Sequence, residues 1–121
     1  MKLTILLLSL TFLLSDMPNN DCANAYSSAD DAYSYGKKAS DASTWADSKT
    51  YLKKALDSFE QAIDYAEECE CEEAHTSATD GYSYVTKGYN SKTWDEAKGY
   101  AKKATASAGD TMSAANDCSG N

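Results

Sequence analysis

Arginine does not occur in this chain of 121 residues: its 11 basic side chains are all lysines, set against 19 carboxylates for a formal net charge of −8. A nucleic-acid partner needs a basic face and usually arginine forks on phosphate, so the composition comes close to excluding that class of partner, and none is expected. Anionic membrane surfaces are disfavoured for the same reason. Proline occurs once, at Pro18, so nothing after it interrupts a helix. Histidine also occurs once, at His75, with no paired acid and nucleophile around it. The six glycines nowhere form a phosphate-cradling loop. No apolar run reaches the ~20 residues that a membrane-spanning helix needs.

The one long apolar run is Leu3 to Leu14, which holds seven leucines and no charge and follows Lys2. It has the length of the apolar core of a secretory signal, and residues 1–15 read as a signal peptide. Leu13-Leu14-Ser15 ends on a small residue without an Ala-x-Ala pattern, so the expected cut lies between 15 and 20. A retained signal anchor is the alternative. Asn19-Asn20-Asp21 is not the small-residue approach of a lipoprotein cysteine at Cys22, so no lipid anchor is expected. Cleavage removes Lys2 and no acid, which takes the net charge to −9 and leaves 106 residues. That length suits one domain, or two small units sharing a core, with no membrane insertion once the signal is gone.

What the chain does contain is a duplication. Cys22 and Cys69 are 47 positions apart, as are Cys71 and Cys118, and a shift of 49 superimposes both pairs without a gap. Tyr33-Ser34-Tyr35 then falls on Tyr82-Ser83-Tyr84, Thr44-Trp45 on Thr93-Trp94, and Lys53-Lys54-Ala55 on Lys102-Lys103-Ala104. Identity from Cys22 to Cys69 is 19 of 48 positions, far above chance, so two copies of one unit span 22–69 and 71–118. Four cysteines behind an export signal read as two disulfides formed in an oxidising compartment, secreted or periplasmic. A duplicated unit with its own staple predicts Cys22–Cys69 and Cys71–Cys118. Stacked hairpins would also allow Cys22–Cys71 with Cys69–Cys118. Closing a loop of this length restricts the unfolded chain by about 4 kcal/mol.

Each unit reads as two helices and a short turn. Leu52, Ala55, Leu56, Phe59, Ala62, Ile63 and Ala66 recur at spacings of three and four, one apolar stripe over four turns. Thr44 to Asp47 marks the start of that helix, and Thr93-Trp94-Asp95-Glu96 has the form of a capping box. Ala25, Ala29, Ala32, Gly36 and Ala39 form a small-residue stripe that admits a close neighbour. It ends near Ser40–Ser43, matched by Tyr89–Lys92, where Asn90 is expected to close the helix in a left-handed conformation. Unit two carries Ala97, Ala101, Ala104, Ala108, Met112 and Ala115 in place of the larger set, so it is expected to be the less stable hairpin. The fold class is therefore all-α: two tandem disulfide-closed αα-hairpins packed as a four-helix assembly.

The string from Ala55 to Ile63 resembles the second helix of a tetratricopeptide repeat, with its Ala-x-x-x-Phe-x-x-Ala pattern. The likeness covers about 12 residues of one unit; the period here is 49 rather than the usual ~34, and the closing proline is missing. It implies hairpin geometry of that kind and, by analogy, protein binding. In composition the chain also looks like small secreted bacterial helical repeat proteins rich in Ala, Tyr, Lys and Asp. Neither likeness supplies a functional residue.

Candidate chemistry is sparse. Glu67-Glu68-Cys69-Glu70-Cys71-Glu72-Glu73 with His75 is the densest cluster, and Glu70, Glu72, Glu73 and His75 are its weak metal candidates. A disulfide sulfur is not a thiolate, so the metal and staple readings of the cysteines exclude each other, and the staple is preferred. No loop has calcium-ligand spacing, no cofactor is implied and no catalytic residue is found. Nine tyrosines are unusual for this length. Tyr33/Tyr35 and Tyr82/Tyr84 are two apart, about 200° around a helix, so one of each pair should point away from its own core. Tyr35, Tyr84 and Tyr89 are the candidate partner contacts. The lysines at 37, 38, 53, 54, 102 and 103 read as solvated faces paired with acids. Asp110-Thr111-Met112 fits a short bacterial O-glycosylation tripeptide. The leading expectation is a secreted or periplasmic, non-enzymatic structural or protein-interaction module that self-associates, as a filament or surface-layer subunit, or binds another protein. A cation- or small-ligand-binding protein using Glu67–Glu73, and a secreted effector or inhibitor, are the alternatives.

Overall fold

The computed structural model describes residues 19–120; the signal-peptide expectation for 1–15 lies outside them. Four helices follow in chain order: α1 (Asn19–Asp41), α2 (Trp45–Glu68), α3 (Glu72–Tyr89) and α4 (Trp94–Gly120). No strand occurs among the described residues. None of the described helices is long and apolar enough to cross a membrane.

The stripes read from the sequence are the buried faces. Ala25, Ala29, Ala32 and Ala39 of α1 are fully buried, as are Leu52, Ala55, Phe59, Ala62 and Ala66 of α2. Ala74, Ala78 and Val85 of α3 and Ala101, Ala104, Ala108 and Ala115 of α4 complete the interior. Each helix packs on its neighbour in the chain, and α4 returns to pack on α1 as extensively as α1 packs on α2; diagonal contacts are slight. The two hairpins therefore close face to face as an up-down-up-down bundle around one core shared by all four helices. The alanine faces that open stacking would have left bare are covered inside this ring.

Glycine at two places sets how closely the helices approach. A Cβ on Gly36 would run into the Thr105 hydroxyl of α4, and one on Gly81 would run into the ring of Phe59. The shift of 49 pairs Gly36 with Val85, Gly81 with Ala32, and Phe59 with Ala108. The two copies have thus exchanged bulk, a large residue in one unit standing where the other has a small one. Such compensated changes keep core volume while sequence drifts.

Both disulfides form within their own hairpin, Cys22–Cys69 and Cys71–Cys118, with Cα–Cα distances of 5.4 and 6.0 Å. Cys22, Cys69 and Cys71 make a second apolar cluster with Ala25, Ala66, Ala74 and Ala115 at the end where the hairpins join, while Cys118 is exposed. The link itself is a single residue, Glu70, at φ 58°. Its N–H reaches the Glu67 carbonyl, and the Cys71 N–H reaches that of Ala66, the paired bonds of a Schellman ending to α2. The left-handed residue is thus Glu70, and the expectation for Asn90 is corrected. Asn90 closes α3 at φ −94°, ψ 7°, its N–H directed to the Thr86 and Gly88 carbonyls. At the other end, Thr44 and Thr93 accept from the N–H groups of Asp47 and Glu96 at 3.1 and 3.2 Å, so each hairpin restarts on the expected threonine cap.

Candidate interaction surface

Both interhelical turns, 42–44 and 90–93, lie at the same end of the bundle, opposite the disulfides. The link is direct: Lys49 at the start of α2 places its Nζ 5.7 Å from the ring of Tyr89 at the end of α3. Around this end stands a collar of aromatic and lysine side chains, built twice.

In hairpin one, Tyr35 of α1 and Tyr51 of α2 stack with ring centroids 6.5 Å apart. Lys38 lies 5.8 Å from the first ring and 5.9 Å from the second, and Lys54 lies 5.8 Å from Tyr35. In hairpin two, Tyr84 and Tyr100 stack at 6.4 Å, with Lys103 at 5.8 and 5.6 Å from the two rings. Trp45 and Trp94, the first residues of α2 and α4, each carry a lysine one turn on: Lys49 at 5.2 Å and Lys98 at 4.3 Å. All these distances fall within the reach of a cation–π contact. Spacing is part of the cause. Tyr-x-x-Lys falls on each helix, at 35–38, 51–54, 84–87 and 100–103. At 35–38 and 100–103 the lysine lies over its own tyrosine, while Lys54 and Lys103 reach Tyr35 and Tyr84 on the neighbouring helix.

The expected partner tyrosines all belong to this collar. Tyr35 and Tyr84 are half-buried, while Tyr89 is 40% exposed. Of the first tyrosine pair it is Tyr33 that stands out, at 38% exposure, and Tyr35 turns toward the core and its stack. An open groove of about 580 Å³ has Tyr33, Lys37, Lys38 and Tyr51 in its wall together with the carboxylates Asp41 and Asp47. A second, of about 320 Å³, lies between Lys49, Lys53, Lys54, Asp57 and Tyr89. Lys38, Lys54 and Lys103 rest against rings, which differs from the expectation of lysines paired with acids. The Tyr-x-x-Lys strings at 35–38 and 100–103 were the available signal for part of this arrangement; the contacts between helices had none.

At the disulfide end, Glu70, Glu72 and His75 share a shallow depression of about 210 Å³, and Glu73 lines a separate groove with Asp110 and Asp117. Among the described residues no three His, Cys, Asp or Glu side chains come together to hold a metal ion. All four cysteines are in disulfides, so no thiolate is present for metal or redox chemistry. Thr111 is fully buried and its hydroxyl donates to the Ser107 carbonyl at 2.8 Å. A glycan cannot be attached there on the folded chain. Compared with protein-family models, curated proteins and solved structures, this chain matches none.

Proposed function

We propose that this chain is a secreted, non-enzymatic interaction module whose contact surface is the aromatic–lysine collar at the turn end of the bundle. One observation carries the reading. The large core residues differ between the hairpins, Leu52 against Ala101 and Phe59 against Ala108, with only small ones such as Ala29/Ala78 and Ala55/Ala104 kept. The large collar side chains, in contrast, are the same in both apart from Tyr89, whose counterpart is Ser40. Tyr35, Tyr51 and Lys54 match Tyr84, Tyr100 and Lys103, and Trp45 with Lys49 matches Trp94 with Lys98. Half-exposed positions are less constrained by packing than core positions, so retained identity there points to a role outside folding. Tyrosine and tryptophan offer large contact area at low entropic cost, which is why they concentrate in binding surfaces. Two disulfides fit an oxidising compartment, and the expected signal segment supplies the route to it.

The reading is tested by placing a photoreactive benzophenone side chain at Tyr33 or Tyr89 in the cell that produces the protein. Illumination should give discrete adducts, and these should vanish when Lys38, Lys49 and Lys54 are all replaced by alanine. No discrete adduct, or adducts indifferent to the triple substitution, would count against the collar.

A further inference from the structure

Charge is segregated along the bundle to an extent that the net value conceals. The turn-end segments, 33–55 and 82–104, hold all ten lysines at described positions and only four acids: Asp41, Asp47, Asp95 and Glu96. Over residues 22–119, the remaining thirteen carboxylates lie beyond those segments toward the disulfides, with no lysine among them; Asp57, at the boundary, still borders the groove of Lys49, Lys54 and Tyr89. The formal charge is thus +6 at one end and −13 at the other.

Folding asks for only part of this: α1 and α3 carry Lys38 and Lys87 in their last turns, and α3 begins on Glu72 and Glu73, as the helix dipole favours. Helix dipoles favour acids at N-termini and bases at C-termini. In α2 only Asp47 in the first turn follows that rule: Lys49, Lys53 and Lys54 lie in the first half, while the last turn holds Glu67 and Glu68 and no base. In α4, Asp95 and Glu96 likewise occupy the first turn, but Lys98, Lys102 and Lys103 follow directly and no base occupies the last turn. Crowded like charges at both ends add repulsion within the monomer. A partner that brings the opposite sign relieves it.

We infer that the collar binds the carboxylate-rich half of a second copy of this chain, forming an antiparallel, side-by-side pair; this deepens the interaction reading above and rests on it. The complement is present in the molecule itself. The lysine charge lies on the helix flanks rather than the loop tips: Lys54 is about 15 Å along α2 from its start, and the two turns carry only Lys92. Side-by-side contact in opposite directions sets both lysine flanks against both acidic flanks at once. Such a contact is isologous and closes as a dimer. A lysine held over a ring keeps N–H groups free for a partner carboxylate, and the surplus of acid leaves the pair negatively charged and soluble.

Sedimentation velocity of the purified, oxidised protein at about 20 mM and about 500 mM salt tests this, because contacts between exposed charges weaken as screening tightens. A dimer is expected at low salt, with its dissociation constant rising at least tenfold at high salt. Lys53→Glu with Lys54→Glu, Lys102→Glu and Lys103→Glu should give a monomer, as should Glu60→Lys with Asp64→Lys and Glu67→Lys. An equimolar mixture of the two variants should regain the dimer mass. Monomer throughout, a dimer indifferent to salt, or oligomers that keep growing with concentration would each overturn the pairing. A monomer retained on a sulfated polysaccharide would assign the collar to an anionic glycan and overturn it as well. Cross-linked adducts of a mass other than twice the chain overturn self-pairing and leave the interaction module standing; absence of any adduct removes both.

Discussion

Glu70 is the one residue with a side chain that the described backbone holds at positive φ. A side chain there meets its own carbonyl, at a cost of about 1 kcal/mol that glycine does not incur. Glu70→Gly should therefore raise the melting temperature, by about 4–8 °C if the full amount is recovered in a domain of this size. Glu70→Gln removes the charge and keeps the backbone cost, so the gain of Gly over Gln in thermal melts isolates the conformational part. Equal melting of the two would show that φ at this link costs nothing. Gly81 presents the opposite case. In a helix Gly→Ala ordinarily gains up to about 1 kcal/mol, but here the added methyl meets the Phe59 ring, and overpacking costs about 1–3 kcal/mol. The clash wins, so Gly81→Ala should destabilise. In a Phe59→Leu background the same substitution should become neutral or favourable. Urea titrations of the four proteins would show that change of sign, and additive effects would contradict it.

The helices are ended differently in the two copies. Ala39 lies in the last turn of α1, where carbonyls have no partner within the helix. The buried Ser48 hydroxyl of α2 donates to that carbonyl at 2.8 Å. In the second copy the matching pair is Gly88 and Ala97, and Gly88 accepts instead from the Ser91 N–H at 3.2 Å. Ser48→Ala should thus cost about 1–2 kcal/mol, the penalty of a buried acceptor left unpaired, while Ala97→Ser should gain little. Denaturant midpoints of both variants measure this asymmetry. The elements themselves were legible in the sequence because their signals are local: stripes at three and four, threonine caps, and a repeat that carries cysteines at its ends. Asn90 misled because its residue type permits a left-handed conformation without requiring one. Glu70 was missed because a Schellman ending is normally read from glycine or asparagine, and nothing in Cys-Glu-Cys advertises it. Ser48 escaped notice because its partner is a backbone carbonyl nine residues away, which no side-chain pattern encodes.

At the scale of the molecule, a net charge of −8 hid the collar. Averaging over the chain erases a polarity that appears once the turns are known to share one end. The face-to-face closure was likewise left open by the sequence, since an alanine stripe buries equally well in a stack or a ring. Closure has a measurable consequence. In a stacked array each repeat holds much of its own stability, whereas here one core draws on all four helices, and the α4 alanines are covered from both sides by α3 and α1. Hairpin two contributes Val85 as its large, fully buried side chain, against Leu52 and Phe59 in hairpin one. Its disulfide restricts the unfolded chain by about 4 kcal/mol, but a staple cannot replace the missing cover on its alanine stripe. An oxidised peptide of residues 71–118 should therefore show little helix by circular dichroism, and one of 22–69 somewhat more. Mixed at equal concentration, the two should recover the helicity of the whole chain and melt in a single transition. A cooperative melt of 71–118 alone would mean that the second hairpin carries its own core and that the bundle is two domains in contact.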